Sequence, residues 1–397
     1  MARGTTTSAS QRQNRTIILA ISQEQYDRIL GDPAQFRRWI DENYERHPEL
    51  FSVKMKQGYI LNGTRTDKKL GLVIRRIRWG KNLCYSIWPS FAMPYATALT
   101  KDVEHGLLLR KWNVPYEVLA DIFGHSPMFW YRLETSFGRY NIVATTVKTA
   151  DIPTHLVADE HHEKRGGEKV YIATTVGAGC VLGAEISASS SGDDLQKAYG
   201  VFKDEAMAVD PKYMPETVNT DGWSGTQLAW ATLFPAIALI RCFLHAYLSI
   251  RDRSKNLKAL FFDIGERVWN IYYSETRAIM GQRIRRLREW APLHLSGVVL
   301  EKVLDLCAKS KLWSVWYDHP DGHATSNMLD RLMRSQNEFF DRGQHFHGTL
   351  HSSNLRSRAW AILHNYWPWS PVSIKDNDGA TCPAERLNGK RYADNWL

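Results

Sequence analysis

Cysteine is scarce in this sequence and shows no pairing pattern. Five cysteines, an odd number, are spread over 397 residues, and no two of them form a Cys-x-x-Cys pair. This argues against a disulfide framework and fits a reducing, intracellular compartment. The length allows one large domain with a smaller one, or roughly two to three domains.

Apolar runs that suit a membrane span are also missing. The first 14 residues, "MARGTTTSASQRQN", are polar and basic, unlike a secretory signal, and we expect a disordered basic tail. The most apolar segment, "LAWATLFPAIALIRCFLHAYLSI", contains Pro235, Arg241 and His245, which favours a buried strand and helix. We therefore expect a cytoplasmic protein without a membrane partner.

Acidic residues are outnumbered by basic ones. The chain has 51 Lys and Arg and 42 Asp and Glu, which gives a formal net charge of +9 and a pI of about 9.2. Such a balance favours a polyanionic partner, with nucleic acid as the first candidate. The alternative is an enzyme that is merely basic.

Residues 15–100 mix helix and strand signals. The segment "SQEQYDRILGDPAQFRRWIDENYERHP" predicts helix with Ser22 as its N-cap. The segment "GLVIRRIRWGKNLCYSIWPS" alternates apolar and basic residues around a Gly-Lys-Asn turn and predicts a hairpin. Its arginines and aromatic residues suit phosphate contacts or, alternatively, a solvated sheet face. We predict an N-terminal α+β DNA-binding region here.

Residues 101–148 predict three short helices. Gly124 separates the second helix from a third that has Ser126 as its cap. Helix, short glycine turn and helix is the spacing of a helix-turn-helix. The third helix would then present Tyr131, Arg132 and Arg139 to DNA, whereas a unit that only packs against neighbours is the alternative.

Residues 149–397 change pattern. "IPTHLVADEHH", "VYIATTV" and "CVLGAEIS" predict a three-stranded meander, with "EKRGGEK" as the first turn. A helix from about 194 to 209, a strand ending at Asp221, another helix and the strand "AIALIRC" follow. The order βββ-α-β-α-β resembles the RNase H-like fold, a mixed sheet flanked by helices. We expect an all-α insertion at about 246–318 and a C-terminal extension at about 352–397, so the whole chain is an α/β multidomain protein.

Three aspartates are candidates for one metal site in such a sheet. Asp159 is predicted at the end of the first strand and Asp221 at the end of the fourth, which are neighbours in this fold. A third acid would come from the helix "HATSNMLDRLMRSQNEFFDR", where Asp330 lies in the first turn and Glu338 two turns later. These two are about 12 Å apart along the helix axis, so one of them alone can reach the site. We predict Asp330, with Glu338 as the alternative.

The segment "TDGWSGTQLAWATLFPAIALIRCFLH" resembles the second-aspartate block of bacterial insertion-sequence transposases of the DDE/D type, in the Mutator-like group. There an Asp-Gly pair precedes a helix, and Cys-x-x-His follows about twenty residues later, as Cys242 and His245 do here. "SNMLDRLMR" resembles the third-acid block, and "CPAERLNGKRYADNWL" resembles the C-terminal tail. One departure is that glutamate is the commoner third acid in such enzymes.

The resemblance implies a bacterial or archaeal, nucleoid-associated DNA transposase. It implies metal-dependent cleavage at terminal inverted repeats, transfer of the 3′-hydroxyl into target DNA, and a homo-oligomer on paired ends. Two Mg²⁺ or Mn²⁺ ions suit both displacements at phosphorus, and carboxylates hold such ions well. Asp159 would bridge the ions, with Asp221 on one and Asp330 on the other. The alternatives are a DNA-binding regulator with an inactive core and an RNase H-like structure-specific nuclease or resolvase.

Other polar groups receive simpler interpretations. Cys242 and His245 are predicted to be a structural signature that packs near the site, in preference to zinc ligands. The run Glu160, His161 and His162 is predicted to be a polar turn near DNA. The histidines of "HFHGTLHSS" are predicted to lie on a loop or helix surface. Basic residues on two helices are predicted to contact the DNA backbone, with a solvated face as the alternative: Arg283, Arg285, Arg286, Arg331 and Arg334.

Overall fold

The computed structural model describes residues 15–396 apart from 81, 82, 95, 97 and 394. The predicted disordered tail lies outside the described residues. The protein is mixed α/β, as predicted. Its contacts form two compact units, one of which contains the described residues up to Leu109 and from Lys390 onward. The other unit is Arg110–Gly389. The domain limits drawn from the sequence stay predictions.

A four-stranded sheet forms the centre of the first unit, in the order β1-β4-β3-β2. β1 is parallel to β4, and the other neighbours are antiparallel. The predicted hairpin is present as β3 and β4, where Ile77 pairs with Tyr85. The strands are β1 (Thr16–Leu19), β2 (Ile60–Asp67), β3 (Leu72–Trp79) and β4 (Leu83–Pro89).

Helices complete the core of this unit. Ser22 caps the first helix as predicted, because its hydroxyl accepts a hydrogen bond from the Gln25 N–H at 3.2 Å. Phe36 and Ile40 of the second helix are fully buried with Ile77 and Ile87 of the sheet. The α-helices are α1 (Gln23–Leu30), α2 (Pro33–Arg46) and α3 (Thr100–Lys111), with 3₁₀ turns at Pro48–Leu50 and Val53–Gln57.

Three short helices open the second unit: α4 (Tyr116–Phe123), α5 (Pro127–Ser136) and α6 (Ile142–Thr146). Gly124 follows α4 with a φ of +74°, and Ser126 caps α5 by accepting the Phe129 N–H at 3.2 Å. The predicted helices of residues 101–141 are therefore present as α3, α4 and α5. Their assignment as a helix-turn-helix stays a prediction.

A five-stranded sheet in the order β7-β6-β5-β8-β9 lies at the centre of this unit. β5, β6 and β7 are antiparallel neighbours, whereas β5, β8 and β9 are parallel. The element order predicted from the sequence is present. Its members are β5 (His155–Arg165), β6 (Glu168–Gly177), β7 (Cys180–Ser187), α7 (Gly192–Val209), β8 (Thr217–Thr220), α8 (Ser224–Leu233) and β9 (Ala238–Arg241).

One local prediction about this sheet is wrong. Residues 163–165 were expected in a turn, but β5 continues to Arg165 and leaves the turn to Gly166 and Gly167. Both glycines have positive φ, which suits a tight hairpin. Asp159 therefore lies in the middle of β5 and not at its end.

The helical region predicted at 246–318 is present and has its own apolar core, to which Ile264, Val268 and Leu287 belong. Its members are α9 (Phe243–Ser254), α10 (Ala259–Tyr272), α11 (Arg277–His294), α12 (Gly297–Ala308) and α13 (Ser310–Trp313), with 3₁₀ turns at Lys255–Leu257 and Val315–Asp318. No helix in the described part of the chain combines the length and the apolar character that crossing a membrane requires.

The remaining helices are α14 (Asn327–Arg342), α15 (Leu350–Tyr366), α16 (Pro371–Asp376) and α17 (Pro383–Asn388). α14 packs against β5, and α15 packs against β7. Asn365 of α15 accepts the Val181 N–H and donates to the Val181 carbonyl, each at 2.8 Å. Asn354 accepts the Ile186 N–H at 2.7 Å. These side chains satisfy backbone groups of β7, an edge strand of the sheet.

Candidate metal centre

Two of the predicted aspartates lie on adjacent strands. In the parallel pairing of β5 and β8, Val157 lies opposite Asn219. Continuing that register by two residues places Asp221 opposite Asp159, as the sequence predicted. Asp221 follows directly after β8, whereas β5 continues beyond Asp159.

The Asp-Gly pair after β8 has a local structural reason. Asp221 Oδ1 accepts the Trp223 N–H at 2.7 Å, so the aspartate closes the turn into α8. Gly222 has a φ of +95°, and a Cβ there would lie 2.4 Å from Arg241 Nε. Glycine is therefore required both by the backbone conformation and by the close guanidinium. Asp221 combines this turn role with a position beside Asp159.

Asp330 lies in the first turn of α14, and Ser326 holds that turn in place. The Ser326 hydroxyl donates to Asp330 Oδ2 at 3.3 Å. The Ser326 N–H donates to Cys242 Sγ at 3.2 Å, and the two side chains are also 3.2 Å apart. Cys242 is fully buried and follows β9 directly, so it fastens the start of α14 to the end of that strand.

The Cys-x-x-His motif also brings a histidine to the site. His245 Nδ1 lies 3.5 Å from the Ser326 hydroxyl. Asp159, His245 and Asp330 each offer a ligand atom, and these three atoms all lie within 4.8 Å of one another. The sequence analysis predicted only a structural role for His245. The Cys-x-x-His motif was the feature of the sequence that could have indicated its place in the site. Among the described residues, Asp221 is not part of this closest group.

The alternative third acid lies elsewhere. Glu338 is exposed, and its backbone carbonyl accepts a hydrogen bond from Asn113 Nδ2 at 3.0 Å. The structure thus brings Asp330, and not Glu338, to Asp159.

The electrostatics of the centre favour a cation. Burial raises the pKa of Asp159 to about 7, and the negative charges of Asp221 and Glu160 add to the shift while His245 opposes it. A hydrogen bond with Cys242 raises the pKa of His245 to about 9 against the effect of burial, with Asp159 and Asp330 contributing. Clustered carboxylates with such shifts are more stable beside a bound cation.

The residues that follow Asp159 in β5 do not share one role. Glu160 points to α7 and α8, where its Oε1 accepts hydrogen bonds from Tyr199 and Thr226, both at 2.7 Å. Burial raises the pKa of Glu160 to about 7. His162 is exposed, and its ring contacts Trp223 at a centroid distance of 6.4 Å. The polar turn predicted for this run is wrong, because these residues belong to β5.

The residues predicted to contact DNA differ in exposure. Tyr131 is half-buried, with its ring against Tyr116 at 5.8 Å. Arg283 is also half-buried and donates hydrogen bonds to the Asn270 carbonyl of α10 and to the Ser274 hydroxyl that follows this helix, so it ties α11 to α10. The other members are exposed: Arg132, Arg139, Arg285, Arg286, Arg331 and Arg334.

In comparisons with known proteins, no family model matches the chain, and neither does any curated protein sequence.

Proposed function

We propose that this protein is a DNA transposase of the DDE/D type. It would act as a homo-oligomer on the terminal inverted repeats of an insertion sequence, in the cytoplasm of a bacterium or archaeon. The observation that carries the proposal is the meeting of Asp159, His245 and Asp330 within 4.8 Å, from three distant parts of the chain. Asp221 lies in register beside Asp159. The strand order β7-β6-β5-β8-β9, with its antiparallel and parallel halves, agrees with an RNase H-like sheet.

The residues of the centre fit a pair of Mg²⁺ or Mn²⁺ ions. Asp159, Asp221 and Asp330 supply the hard oxygen ligands that these ions prefer, and the raised pKa of Asp159 marks negative charge that a cation would offset. Two such ions, when bound, activate the attacking oxygen and stabilise the leaving oxygen of an in-line displacement at phosphorus. The ligand atom of Asp159 lies within 4.8 Å of that of Asp330, and the charge of Asp221 also acts on Asp159, so Asp159 would hold an ion together with either of the other two.

The surrounding side chains position this chemistry. Ser326 and Cys242 fix the start of α14, and thereby the carboxylate of Asp330. His245, with a pKa of about 9, is protonated at pH 7 when no metal is bound and faces the carboxylates as a cation. Its ring would give up that proton to bind an ion, or keep it and donate to a carboxylate or phosphate oxygen.

Double-stranded DNA is the partner that the charge favours. The chain carries a formal net charge of +9, and Arg331 and Arg334 are exposed on α14, the helix that carries Asp330 in its first turn. Arginines beside the centre would contact phosphates and position the strand, which is a sequence-independent interaction.

The test uses the full-length protein and linear DNA that carries the sequences flanking its gene. We expect Mg²⁺-dependent nicking at the repeat ends and joining of the freed 3′ end to a second DNA. The Asp221→Asn variant should bind the ends normally and lose cleavage, because it keeps the shape and one oxygen but removes a charge from the metal site.

Three outcomes would contradict the proposal in different ways. Nicking without strand transfer would favour a structure-specific nuclease or resolvase, which uses the same centre. End binding without any cleavage would favour a regulator with an inactive core. Near-normal cleavage by Asp221→Asn would remove Asp221 from the catalytic set.

A further inference from the structure

A second cluster of ionisable side chains lies near the C-terminal end of β5, four residues beyond Asp159. Glu163 is buried, with 2% of its side chain exposed, and its Oε1 lies 2.5 Å from His345 Nδ1. The three ligand atoms of Glu163, Asp341 and His345 all lie within 4.8 Å of one another. Asp341 is in the last turn of α14, and His345 follows that helix.

Two buried polar atoms in this cluster have no hydrogen-bond partner among the described residues. They are Glu163 Oε2 and His161 Nε2. They face each other at 3.6 Å, which is too long for a hydrogen bond, and the His161 side chain is 95% buried, with 5% exposed. A buried carboxylate oxygen that is unsatisfied in this way is costly unless a cation or a proton donor lies against it.

The backbone holds His345 over Glu163. Gln344 and His345 both have left-handed backbone conformations, with φ of +55° and +68°, although neither is glycine. The His345 N–H donates to the Phe340 carbonyl at 2.9 Å, and Arg356 donates to the His345 carbonyl at 2.8 Å. Phe346 then pairs with the end of β5 through the Lys164 carbonyl at 3.0 Å. The backbone of His345 is thus fixed by contacts outside the cluster.

We propose that Glu163, Asp341 and His345 bind one transition-metal ion, with Zn²⁺ as the expected occupant. An imidazole nitrogen with two carboxylates is a ligand set that Zn²⁺ accepts readily, and three protein ligands leave one position for water. Ligand atoms about 2.0–2.2 Å from the metal lie roughly 3.3 Å apart in a tetrahedral site, so the present separations need only small changes. His161 would not bind the ion itself. Its Nε2 lies 3.6 Å from the second oxygen of Glu163 and would help to orient that carboxylate.

This site is distinct from the candidate metal centre and does not depend on the proposed transposase activity. Four residues along a strand separate Glu163 from Asp159, a distance of about 13 Å. The side chains of His345 and Asp341 are 39% and 62% exposed, so an ion can enter from solvent. A bound ion would fasten the end of α14 to β5.

The experiment measures Zn²⁺ binding by the full-length protein after treatment with EDTA. An Asp159→Asn/Asp330→Asn background removes the first centre, and competition with a chromophoric chelator gives stoichiometry and affinity. We expect one Zn²⁺ per chain and, with Co²⁺, visible absorption of a four-coordinate site. Glu163→Gln and His345→Asn should each weaken binding at least tenfold. Asparagine suits the left-handed backbone at 345, so this variant should fold.

His347→Ala is the matched control, because His347 is exposed two residues further on and lies outside the cluster. It should bind Zn²⁺ as the parent does. Zn²⁺ should also raise the melting temperature of the parent and of His347→Ala, but not of His345→Asn. Equal Zn²⁺ affinity of His345→Asn and the parent, or no binding by the parent, would overturn the proposal.

Discussion

β5 and α14 pack together, and each end of this pair carries a different ionisable cluster. At the start of α14, Asp330 meets Asp159 and His245. Beyond its end, His345 meets Glu163. Burial and neighbouring acids raise the pKa of Asp159 to about 7. Burial alone would also raise the pKa of Glu163, but contacts with His161, the Lys164 N–H and His345 bring it below the ordinary value. One strand thus holds one carboxylate whose surroundings disfavour its ionised form and another whose surroundings favour it.

The difference shows how a single strand can hold two sites of different chemistry. Both clusters combine two carboxylates with an imidazole. The first has a further carboxylate, Asp221, whose charge also acts on Asp159, and this excess of oxygen ligands suits hard divalent ions. The second has two carboxylates and one imidazole, which suits a transition metal.

The largest expected effect separates Asp330 from Glu338, the two acids of α14 that the sequence offered for the first centre. Asp330→Asn should lower Mg²⁺-dependent DNA cleavage on the order of 10²–10³-fold, because it removes a charge that stabilises the transition state through the metal. Glu338→Gln is the matched control on the same helix, and its cleavage rate should stay near that of the parent because Glu338 is exposed and outside the centre. Equal losses in both variants would mean that the helix responds as a whole and that Asp330 has no special role.

The second prediction concerns the pH dependence of stability without metal. The folded-state pKa of Asp159 is above its ordinary value, so its contribution to stability is complete below about pH 4 and is lost as the pH rises to about 7. Asparagine does not ionise, so Asp159→Asn does not lose stability through residue 159 as the pH rises. Its free energy of unfolding, relative to that of the parent, should therefore increase from pH 4 to pH 7, by up to a few kcal/mol at about 1.4 kcal/mol per pH unit. Chemical denaturation at several pH values in EDTA measures this difference.

Glu163→Gln is the comparison variant near the C-terminal end of β5. The pKa of Glu163 is lowered, so its ionised form stabilises the fold above its ordinary pKa, and that stability is lost as the pH falls. Relative to the parent, Glu163→Gln should be less stable at pH 7 by roughly 1–3 kcal/mol, with the deficit shrinking in acid. The same sign of pH dependence in both variants would end the distinction between the two clusters.

The smallest expected effect tests whether the start of α14 is held independently of its end. Ser326→Ala removes the hydroxyl that links Asp330 to Cys242 and His245. It should cost about 1 kcal/mol in the free energy of unfolding and lower the cleavage rate, because Asp330 loses its support. Zn²⁺ affinity at the Glu163 cluster should not change. A parallel loss of Zn²⁺ affinity would show that α14 shifts as one rigid body.

Much of the sheet and its acids could be predicted from the sequence. Alternating apolar residues and glycine turns predicted the element order, and the likeness to an RNase H-like sheet predicted that the strands of Asp159 and Asp221 are neighbours. The helix with Asp330 in its first turn was predicted from the segment "HATSNMLDRLMRSQNEFFDR" and is present as α14.

The rest depended on contacts between distant residues. The segment "EKRGGEK" predicts a turn because buried charges are rare. Glu163 is nevertheless buried in β5, where its Oε1 lies against Nδ1 of His345, far along the chain. The place of His245 in the first centre could not be predicted for the same reason. Its motif favours local packing, and only the folded arrangement of β5, α9 and α14 places its ring beside Asp159 and Asp330.

The side chains of α15 that bind the backbone of β7 have a consequence for assembly. Chains that associate by adding a strand to a neighbour's sheet need unoccupied backbone groups along an edge. Asn354, Ser357 and Asn365 already occupy groups of β7 at Ile186, Ala184 and Val181. In the proposed oligomer on paired DNA ends, copies of this chain would therefore meet through helices, loops or the bound DNA, and not through a sheet continued across β7.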